Sequence, residues 1–312
     1  MKKTIIILIV LAVLAMLAGL AAITLLNSKT TNTEPLRLNI HENTSYNALC
    51  DSLDASATFQ LMAKALGLDK RVRPGSYLVE PHMKTLALVR KLRNGQQDPI
   101  RLTIGKFRTP QQLNEYLNTK LMHNDFNVTL DNFHLILPDT YEFYWTVTPE
   151  QFMQRMEKEY NAFWDLKDLK DLKKPKDIII LASIVEEESN NNAEKPLIAS
   201  VYINRLKKGI PLQADPTVKY AVGDFTLRRI LNKHLAVESP FNTYLHTGLP
   251  PAPICLPSKT TIKAVLNAPQ TNYLYFCASE QMDGTHRFAA TLAEHNRNAA
   301  AFHHALNARG IR

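Results

Sequence analysis

The sequence predicts an α+β protein with one membrane-spanning helix, a small α+β domain and a larger, mainly helical domain with a few short strands. Three observations support this prediction. The N-terminus is an unbroken apolar run, short strand and helix patterns alternate over residues 36–104, and helical patterns dominate residues 105–312. At 312 residues the chain has room for about two folded domains.

The apolar run covers residues 5–26 and is long enough to cross a membrane. A helix of this length extends about 33 Å, and the hydrocarbon core of a bilayer is about 30 Å thick. The alternative is a cleaved signal peptide, for which the small residues 18–22 offer cleavage sites. The apolar core of a signal peptide usually has only about 7–15 residues, so we favour the uncleaved anchor.

The charges at the N-terminus predict the orientation of the anchor. Lys2 and Lys3 lie in a four-residue tail (residues 1–4), which the positive-inside rule assigns to the cytoplasm. The polar stretch 27–35 then predicts a short linker, and everything after it is expected outside the cytoplasm. This topology suits a protein of the inner membrane that works on the cell envelope.

Composition and motifs exclude several classes of function. The formal net charge of +8 favours an acidic partner, but the predicted topology argues against nucleic acid. The sequence contains no dinucleotide, P-loop or nucleophile-elbow motif. It also contains no CxxC or HExxH, so we expect no metal site. Cys50, Cys255 and Cys277 are expected to be idle thiols, with a Cys255–Cys277 bridge as the alternative in an oxidising compartment.

The small domain predicted for residues 36–104 contains no cluster of catalytic side chains, which indicates a binding or spacer module. Its predicted elements are a strand at 36–40, helices at 44–53 and 55–66, a turn at 73–77 leading into a strand, a helix at 85–92 and a strand at 100–104.

Residues 105–312 contain the more informative patterns. Amphipathic helices are predicted at 110–118 and 149–163, and further helices at 178–189, capped by Asp177, and at 193–207. A polar loop is predicted at 212–218 and a strand at 273–276. The Asp-Leu-Lys repeats of residues 165–173 indicate a solvated helix face or connector, to which we assign no function.

Three consecutive glutamates end the otherwise apolar helix predicted at 178–189. Glu188 follows Leu181, Ile184 and Val185 at helical spacing, which places it on their apolar stripe. Desolvation at the edge of an apolar cavity would raise the pKa of this carboxyl group and prepare it to donate a proton. The alternative is that all three glutamates are solvated at a fraying helix end.

Polar loops after this helix suggest a groove for a polyhydroxylated ligand. Their segments, together with the glutamate helix, resemble the catalytic domain of the endolytic murein transglycosylases, the MltG (YceG-like) family. The matching segments are PDTYEF (138–143), ASIVEEES (182–189), VYINRLKKGIPLQADPTVKYAVG (201–223), SPFNTY (239–244), GLPPAPI (248–254), NYLYF (272–276) and HRFAATLAEHN (286–296).

The resemblance implies a LysM-like domain at 36–104 and a YceG-like catalytic domain at 105–312. By position, it makes Glu188 the catalytic residue. The other matching positions are expected to line or support the glycan groove, without metal or organic cofactor: Tyr141, Glu186, Gln213, Asp215, Asn242, Tyr244 and His286. Glu186 points elsewhere on a helix than Glu188, so its role is expected to be a supporting one.

The resemblance also implies a lytic reaction. Such an enzyme cleaves the bond between N-acetylmuramic acid and N-acetylglucosamine within nascent peptidoglycan strands, leaves 1,6-anhydro ends and so terminates strand elongation. The expected partners are glycan strands, the cytoplasmic membrane through residues 5–26, and peptidoglycan synthases. Two alternatives remain open, a hydrolytic muramidase on the same site and a non-catalytic peptidoglycan-binding scaffold.

Overall fold

The computed structural model describes residues 2–165, 174–227 and 229–310. Almost all of the Asp-Leu-Lys repeat, residues 166–173, lies outside this description. The chain forms two compact units. The first comprises Met1–Leu102, Thr119–Asn124 and Glu142–Val147, and the second comprises Thr103–Asn118, Asp125–Tyr141 and Thr148–Arg312.

The first helix, α1 (Lys2–Leu26), has the length and composition of a single-pass membrane anchor. It is the one helix in the described part of the chain that is long and apolar enough to span a bilayer, and none of its apolar segment is buried within the protein. The segment 27–35, predicted as a linker, is irregular but fixed to the first unit. Thr30 N donates to Met83 O at 2.8 Å, and Thr85 N donates to Ser28 O at 2.9 Å.

The first unit packs a two-stranded antiparallel sheet and short helices around one core. Its elements are β1 (Leu36–Ile40), α2 (Tyr46–Ser52), α3 (Ala57–Leu66), β2 (Gly75–Val79) and α4 (Thr85–Asn94). Leu36 lies opposite Val79 and Ile40 opposite Gly75, and the inward side chains of both strands join the helices in the core. All five elements agree with the sequence prediction to within about two residues, except that β2 continues to Val79, beyond the turn predicted at 73–77.

The division between the units is less simple than the single boundary predicted near residue 104. β3 (Ile100–Ile104), α5 (Pro110–Lys120), α6 (Leu130–Phe133) and β4 (Asp139–Phe143) follow in order, and β3 pairs with β4. Residues 119–124 and 142–147 return to the first unit, where Met122 N donates to Trp145 O at 2.9 Å. The Trp145 ring contacts His41 edge to face, with centroids 4.8 Å apart. Such distant pairings leave no periodic signal in the sequence.

The second unit is mainly helical, as predicted, and is built around one buried helix. Besides α6 and most of α5, its elements are α7 (Pro149–Trp164), α8 (Pro175–Glu188), α9 (Lys195–Lys207), α10 (Asp215–Val222), α11 (Asn232–Leu235), α12 (Lys259–Leu266), β5 (Tyr275–Ala278), β6 (His286–Ala289) and α13 (Leu292–Ala308). Helix α8 packs against α9, α10 and α12. Every residue from 178 to 185 is buried, so α8 is enclosed on all sides.

The start of α8 corrects the prediction that Asp177 caps this helix. The N-cap is Lys174, and Pro175 occupies the first turn. Proline suits that position because its fixed φ matches a helix and its missing N–H would have no intrahelical partner. Asp177 therefore lies inside the first turn, where its negative charge still interacts favourably with the helix dipole. At the other end Ser189 is extended and ends the helix.

Two further predictions and one alternative need correction. The polar loop predicted at 212–218 ends early, because Asp215 and Pro216 open helix α10, which continues to a left-handed Gly223 with φ of 77°. The strand predicted at 273–276 lies two residues later, in β5, which pairs with β6. The alternative of a Cys255–Cys277 bridge is wrong, since Cys50, Cys255 and Cys277 are all free thiols.

The enclosure of α8 predicts that its core positions carry much of the stability of the second unit. Leu181 is fully buried, so Leu181→Ala should lower the free energy of unfolding by about 2–5 kcal/mol, through lost apolar burial and the cavity left behind. Thermal unfolding of the full chain in detergent measures this loss. Leu292→Ala on exposed α13 is the control, with an expected change within about 0.5 kcal/mol. Equal effects would contradict the central role of α8.

Candidate active site

The three glutamates at the C-terminal end of α8 are each half-buried and need partners. The carboxyl end of a helix carries the negative end of its dipole, which disfavours a carboxylate there. Partial removal from water adds to this cost. The partners of Glu186, Glu187 and Glu188 therefore decide which of them is ionised and which can hold a proton.

Glu186 is neutralised within the packing of three helices. Its Oε2 accepts hydrogen bonds from Lys195 Nζ at 3.2 Å, from Ser258 Oγ at 3.0 Å and from the Thr261 hydroxyl. Burial alone would raise the pKa of Glu186, but the Thr261 hydrogen bond and the Lys195 charge outweigh it and hold the pKa below its usual value. Glu186 therefore joins α8 to α9 and α12 as a carboxylate, in agreement with a supporting role.

Glu187 is neutralised by two cations that come from the loop after β3. Lys106 Nζ lies 3.1 Å from Glu187 Oε1, and Arg108 Nη2 lies 3.0 Å from Oε2. The Arg108 guanidinium also lies over the ring of Phe225, 5.3 Å from its centroid. This carboxylate is thus committed to an ion-pair cluster.

Glu188 is the glutamate without a cationic partner. Its Oε1 accepts a hydrogen bond of 2.6 Å from the hydroxyl of Tyr202, a neutral donor on α9. Within residues 2–165, 174–227 and 229–310, no lysine, arginine or histidine forms an ion pair with it. Burial raises the pKa of Glu188 to about 7, and the charge of Asp215 adds to the rise. The Tyr202 hydrogen bond and the charge of Lys219 act in the opposite direction.

Glu188 lines a cavity of about 290 Å³ in the second unit. Gln213, Asp215 and Tyr244, three of the residues predicted for the groove, line the same cavity. The Tyr244 hydroxyl donates to Asp215 Oδ1 at 2.7 Å, and burial together with this hydrogen bond raises the pKa of Tyr244.

The loop that carries Gln213 and Asp215 is held by threonines. Ala214 N donates to Thr243 Oγ1 at 3.0 Å, and Thr217 Oγ1 donates to Ala214 O at 2.7 Å. Gln213 itself has a positive φ of 53°, which is uncommon outside glycine. Its backbone N–H donates to Thr243 O at 3.0 Å, so this conformation is held by the surrounding structure.

The other predicted groove residues do not line this cavity. Tyr141 is buried and donates to Leu137 O at 2.6 Å. Asn242 is fully buried, and its Nδ2 donates to the carbonyl oxygens of Leu235 and Val237, each at 2.9 Å. These contacts hold the local chain in place.

His286 and Glu186 also lie away from the cavity lining. Both His286 N and its ring Nδ1 bond the carboxylate of Glu194, at 2.9 and 3.0 Å, which ties β6 to the start of α9. Glu186 is enclosed by the partners described above. The structure therefore brings together four of the eight predicted site residues.

Sequence reasoning did not assign four polar residues that the structure places in the cavity lining: Tyr202, Arg205, Tyr275 and His295. The one available signal was spacing, since Tyr202 and Arg205 lie one turn apart on a helix and share a face. That signal was weak, because α9 is largely buried and its apolar residues surround them. Tyr275 and His295 come from β5 and α13, and only the tertiary fold brings them near α9.

A polar cavity with one half-buried carboxyl group, whose pKa lies near 7, is a site for proton transfer at neutral pH. The chain matches the model of the YceG-like family over residues 38–301. It therefore belongs to the YceG-like family.

Two curated relatives and one crystal structure are similar to parts of the chain. The endolytic murein transglycosylase of Bacillus subtilis (strain 168) is 40% identical over 167 residues, which are 52% of this chain and 45% of that protein. The endolytic murein transglycosylase of Streptococcus pneumoniae (strain D39) is 30% identical over 173 residues, 53% of this chain and 31% of that protein. The match thus spans less than half the length of either relative.

The fold is similar to that of a yceG-like protein from Listeria monocytogenes, whose crystal structure superposes with a TM-score of 0.53. The two are 28% identical, and the match covers 85% of this chain and 99% of the other.

The raised pKa of Glu188 predicts a pH-dependent effect of Glu188→Gln on stability. The unfolded chain ionises this carboxyl near pH 4.5, but the folded protein does so only near pH 7. The wild type therefore loses stability as the pH rises from about 4.5 to 7, whereas glutamine does not titrate. From pH 5 to pH 8, the free energy of unfolding of the variant should therefore increase relative to that of the wild type by on the order of 2 kcal/mol.

Thermal unfolding of both proteins in detergent at pH 5 and pH 8 measures this gain. Exposed Glu238→Gln is the matched control, and its stability difference from the wild type should not change between the two pH values. A constant difference for Glu188→Gln would show that Glu188 ionises normally.

Proposed function

We propose that this protein is a membrane-anchored endolytic lytic transglycosylase. Its substrate would be the bond between N-acetylmuramic acid and N-acetylglucosamine within peptidoglycan glycan strands. The observation that carries the proposal is that Glu188 is left without a cation beside two neutralised glutamates, with its pKa raised to about 7. The names of the two curated relatives, both endolytic murein transglycosylases, agree with this function.

The reaction uses Glu188 first as an acid and then as a base. The protonated carboxyl gives its proton to the glycosidic oxygen, and the bond from that oxygen to C1 of the muramyl unit breaks. The resulting carboxylate takes the proton from the muramyl 6-hydroxyl, whose oxygen then bonds to C1. The products are a 1,6-anhydromuramyl end and a new N-acetylglucosamine hydroxyl, and no water is consumed.

A pKa near 7 suits both steps, because at neutral pH neither protonation state of the carboxyl dominates. The Tyr202 hydroxyl supports the carboxylate form by its 2.6 Å hydrogen bond, without adding a charge that would suppress protonation. Tyr202 is therefore a positioning residue that also tunes the acid. The ion pairs of Glu186 and Glu187 hold the helix end in place beside Glu188.

A hydrolytic muramidase is the second candidate, and Asp215 is the observation that favours it. Glycoside hydrolases use two carboxyl groups, and Asp215 lines the same cavity as Glu188. In that mechanism Asp215 would act as nucleophile or activate water, and the products would have reducing ends. In the lytic mechanism Asp215 instead raises the pKa of Glu188 by its charge.

The first unit and the anchor complete the proposal. With Lys2 and Lys3 in the cytoplasm, α1 would hold both units outside the inner membrane, where nascent strands are made. The first unit would serve as a LysM-like module beside the catalytic unit. Cleavage of nascent strands would end their elongation, and peptidoglycan synthases are the expected partners.

The decisive experiment analyses the products made from uncrosslinked peptidoglycan by the full chain in detergent. The wild type should release fragments with 1,6-anhydromuramyl ends, and Glu188→Gln should lower the rate by about 100-fold or more, because it removes the acid and base. Mass spectrometry distinguishes the products, and Glu238→Gln is the control with normal turnover.

Each other result assigns a different function. Reducing ends would establish the hydrolase, with Asp215→Asn as the next inactive variant. Glycan binding without cleavage by the wild type would indicate the scaffold. Turnover by Glu188→Gln near that of the wild type would contradict the role of Glu188.

Tyr202→Phe tests the tuning of the acid. The hydrogen bond from Tyr202 favours the ionised form of Glu188, so its removal should raise the pKa of Glu188 above about 7. The alkaline limb of the pH profile of kcat/KM should then move to higher pH, because Glu188 stays protonated further into the alkaline range. Tyr220→Phe, outside the cavity, should leave the profile in place. A shift towards lower pH would contradict the proposed hydrogen-bond direction.

A further inference from the structure

Arg205, on one side of the cavity, is a buried cation without a carboxylate partner. It is 7% exposed, and it forms no ion pair in the part of the chain that the structure describes. Burial lowers the pKa of Arg205 but leaves it charged, since the guanidinium titrates far above neutral pH. A buried charge without a counter-charge is costly unless something else binds it.

Most of the Arg205 guanidinium is fixed by carbonyl oxygens. Nε donates to Leu274 O at 2.7 Å, and Nη1 donates to Pro211 O and Leu212 O at 3.0 and 2.9 Å. Nη1 also lies 3.2 Å from Gln213 Oε1. Nη2 has no hydrogen-bond partner among the described residues, so this rigidly held cation keeps one nitrogen for a ligand.

His295 adds a second donor on this side of the cavity. Its ring stacks on Tyr275, with centroids 5.4 Å apart and planes at 25°, and the Arg205 guanidinium lies 5.2 Å from the centre of the same Tyr275 ring. Nδ1 is buried and has no hydrogen-bond partner in the described part of the chain. Burial and the charge of Arg205 lower the pKa of His295, so the ring is neutral at pH 7. We place its proton on Nε2, since a proton on Nδ1 would be a buried donor without an acceptor.

Gln213 completes the group. Its Oε1 is engaged by Arg205, which leaves the Nε2 amide group as the free end of the side chain. Arg205 Nη2, His295 Nε2 and Gln213 Nε2 are all hydrogen-bond donors, and all three residues line the cavity that also contains Glu188. A group that only donates selects a ligand group that only accepts.

We propose that Arg205, Gln213 and His295 form a donor subsite that binds the lactyl carboxyl group of N-acetylmuramic acid and so selects the muramyl unit in this cavity. The inference rests on the proposed function. A carboxylate, or the carbonyl of its amide in a peptide-bearing strand, accepts hydrogen bonds from all three donors. Hydroxyl groups also donate, and this subsite offers no acceptor for their protons. Acetamido groups occur on both sugars, so they do not distinguish the muramyl unit.

The subsite would explain which glycosidic bond is cleaved. N-acetylmuramic acid differs from N-acetylglucosamine by the lactyl group at O3, so a subsite for that group distinguishes the two sugars. With the muramyl unit bound there, its C1 and 6-hydroxyl would be presented to Glu188. A strand shifted by one sugar would leave Arg205 Nη2 without an acceptor.

The experiment measures binding by the full chain in detergent with Glu188→Gln present, so that no ligand is cleaved. The two ligands are a denuded glycan tetrasaccharide, whose muramyl units carry free lactyl carboxylates, and chitotetraose, which has none. The denuded glycan should bind more tightly. His295→Phe keeps the stacking on Tyr275 but removes the donor, and it should weaken binding of the denuded glycan by about 10-fold or more while leaving chitotetraose unchanged.

His304→Phe is the matched control, because it makes the same change at an exposed position of the same helix and should alter neither affinity. In the protein that retains Glu188, the single substitution His295→Phe should raise KM for peptidoglycan with kcat nearly unchanged. Equal weakening for both ligands, no weakening for either, or no preference for the denuded glycan would overturn the proposal. Selective weakening without any cleavage by the wild type would leave the subsite standing and refute the proposed reaction.

Discussion

The second unit depends on one electrostatic constraint, three carboxyl groups at the negative end of a buried helix. Neither water nor the helix dipole stabilises charge there, so each glutamate needs its own partner. Glu186 and Glu187 receive cations, whereas Glu188 receives only the hydroxyl of Tyr202. The difference in partners makes three chemically identical neighbours into two structural groups and one acid.

The neighbouring elements follow from this division. Lys195 and Thr261 tie α9 and α12 to Glu186, which packs both helices against α8. The same packing holds Tyr202, also on α9, against Glu188. The ion pairs therefore do more than stabilise the helix end, because they hold the neutral donor in position. The raised pKa of Glu188 in turn carries a stability cost that develops between about pH 4.5 and 7.

The sequence predicted the element types of the first unit well, because strands and helices with one buried face leave a clear period. It predicted the ends of α8 less well, since Asp177 and Pro175 are both good residues for a first turn and only packing shows where the helix begins. For the site, it selected Glu188 by an apolar stripe. In the structure α8 is buried on every side, so Glu186 and Glu187 also follow buried residues, and the stripe alone does not separate the three glutamates.

The sequence by itself determined the membrane-length helix, the α+β first unit, the apolar helix that ends in three glutamates and the residue types available for proton transfer. These depend on local composition and period, which the chain carries in consecutive residues. Only the tertiary structure decided that Gln213 and Asp215 meet Glu188, while Asn242 holds a loop elsewhere. It also decided the protonation of Glu188, because a pKa depends on burial and on charges that residues far apart in the chain bring together.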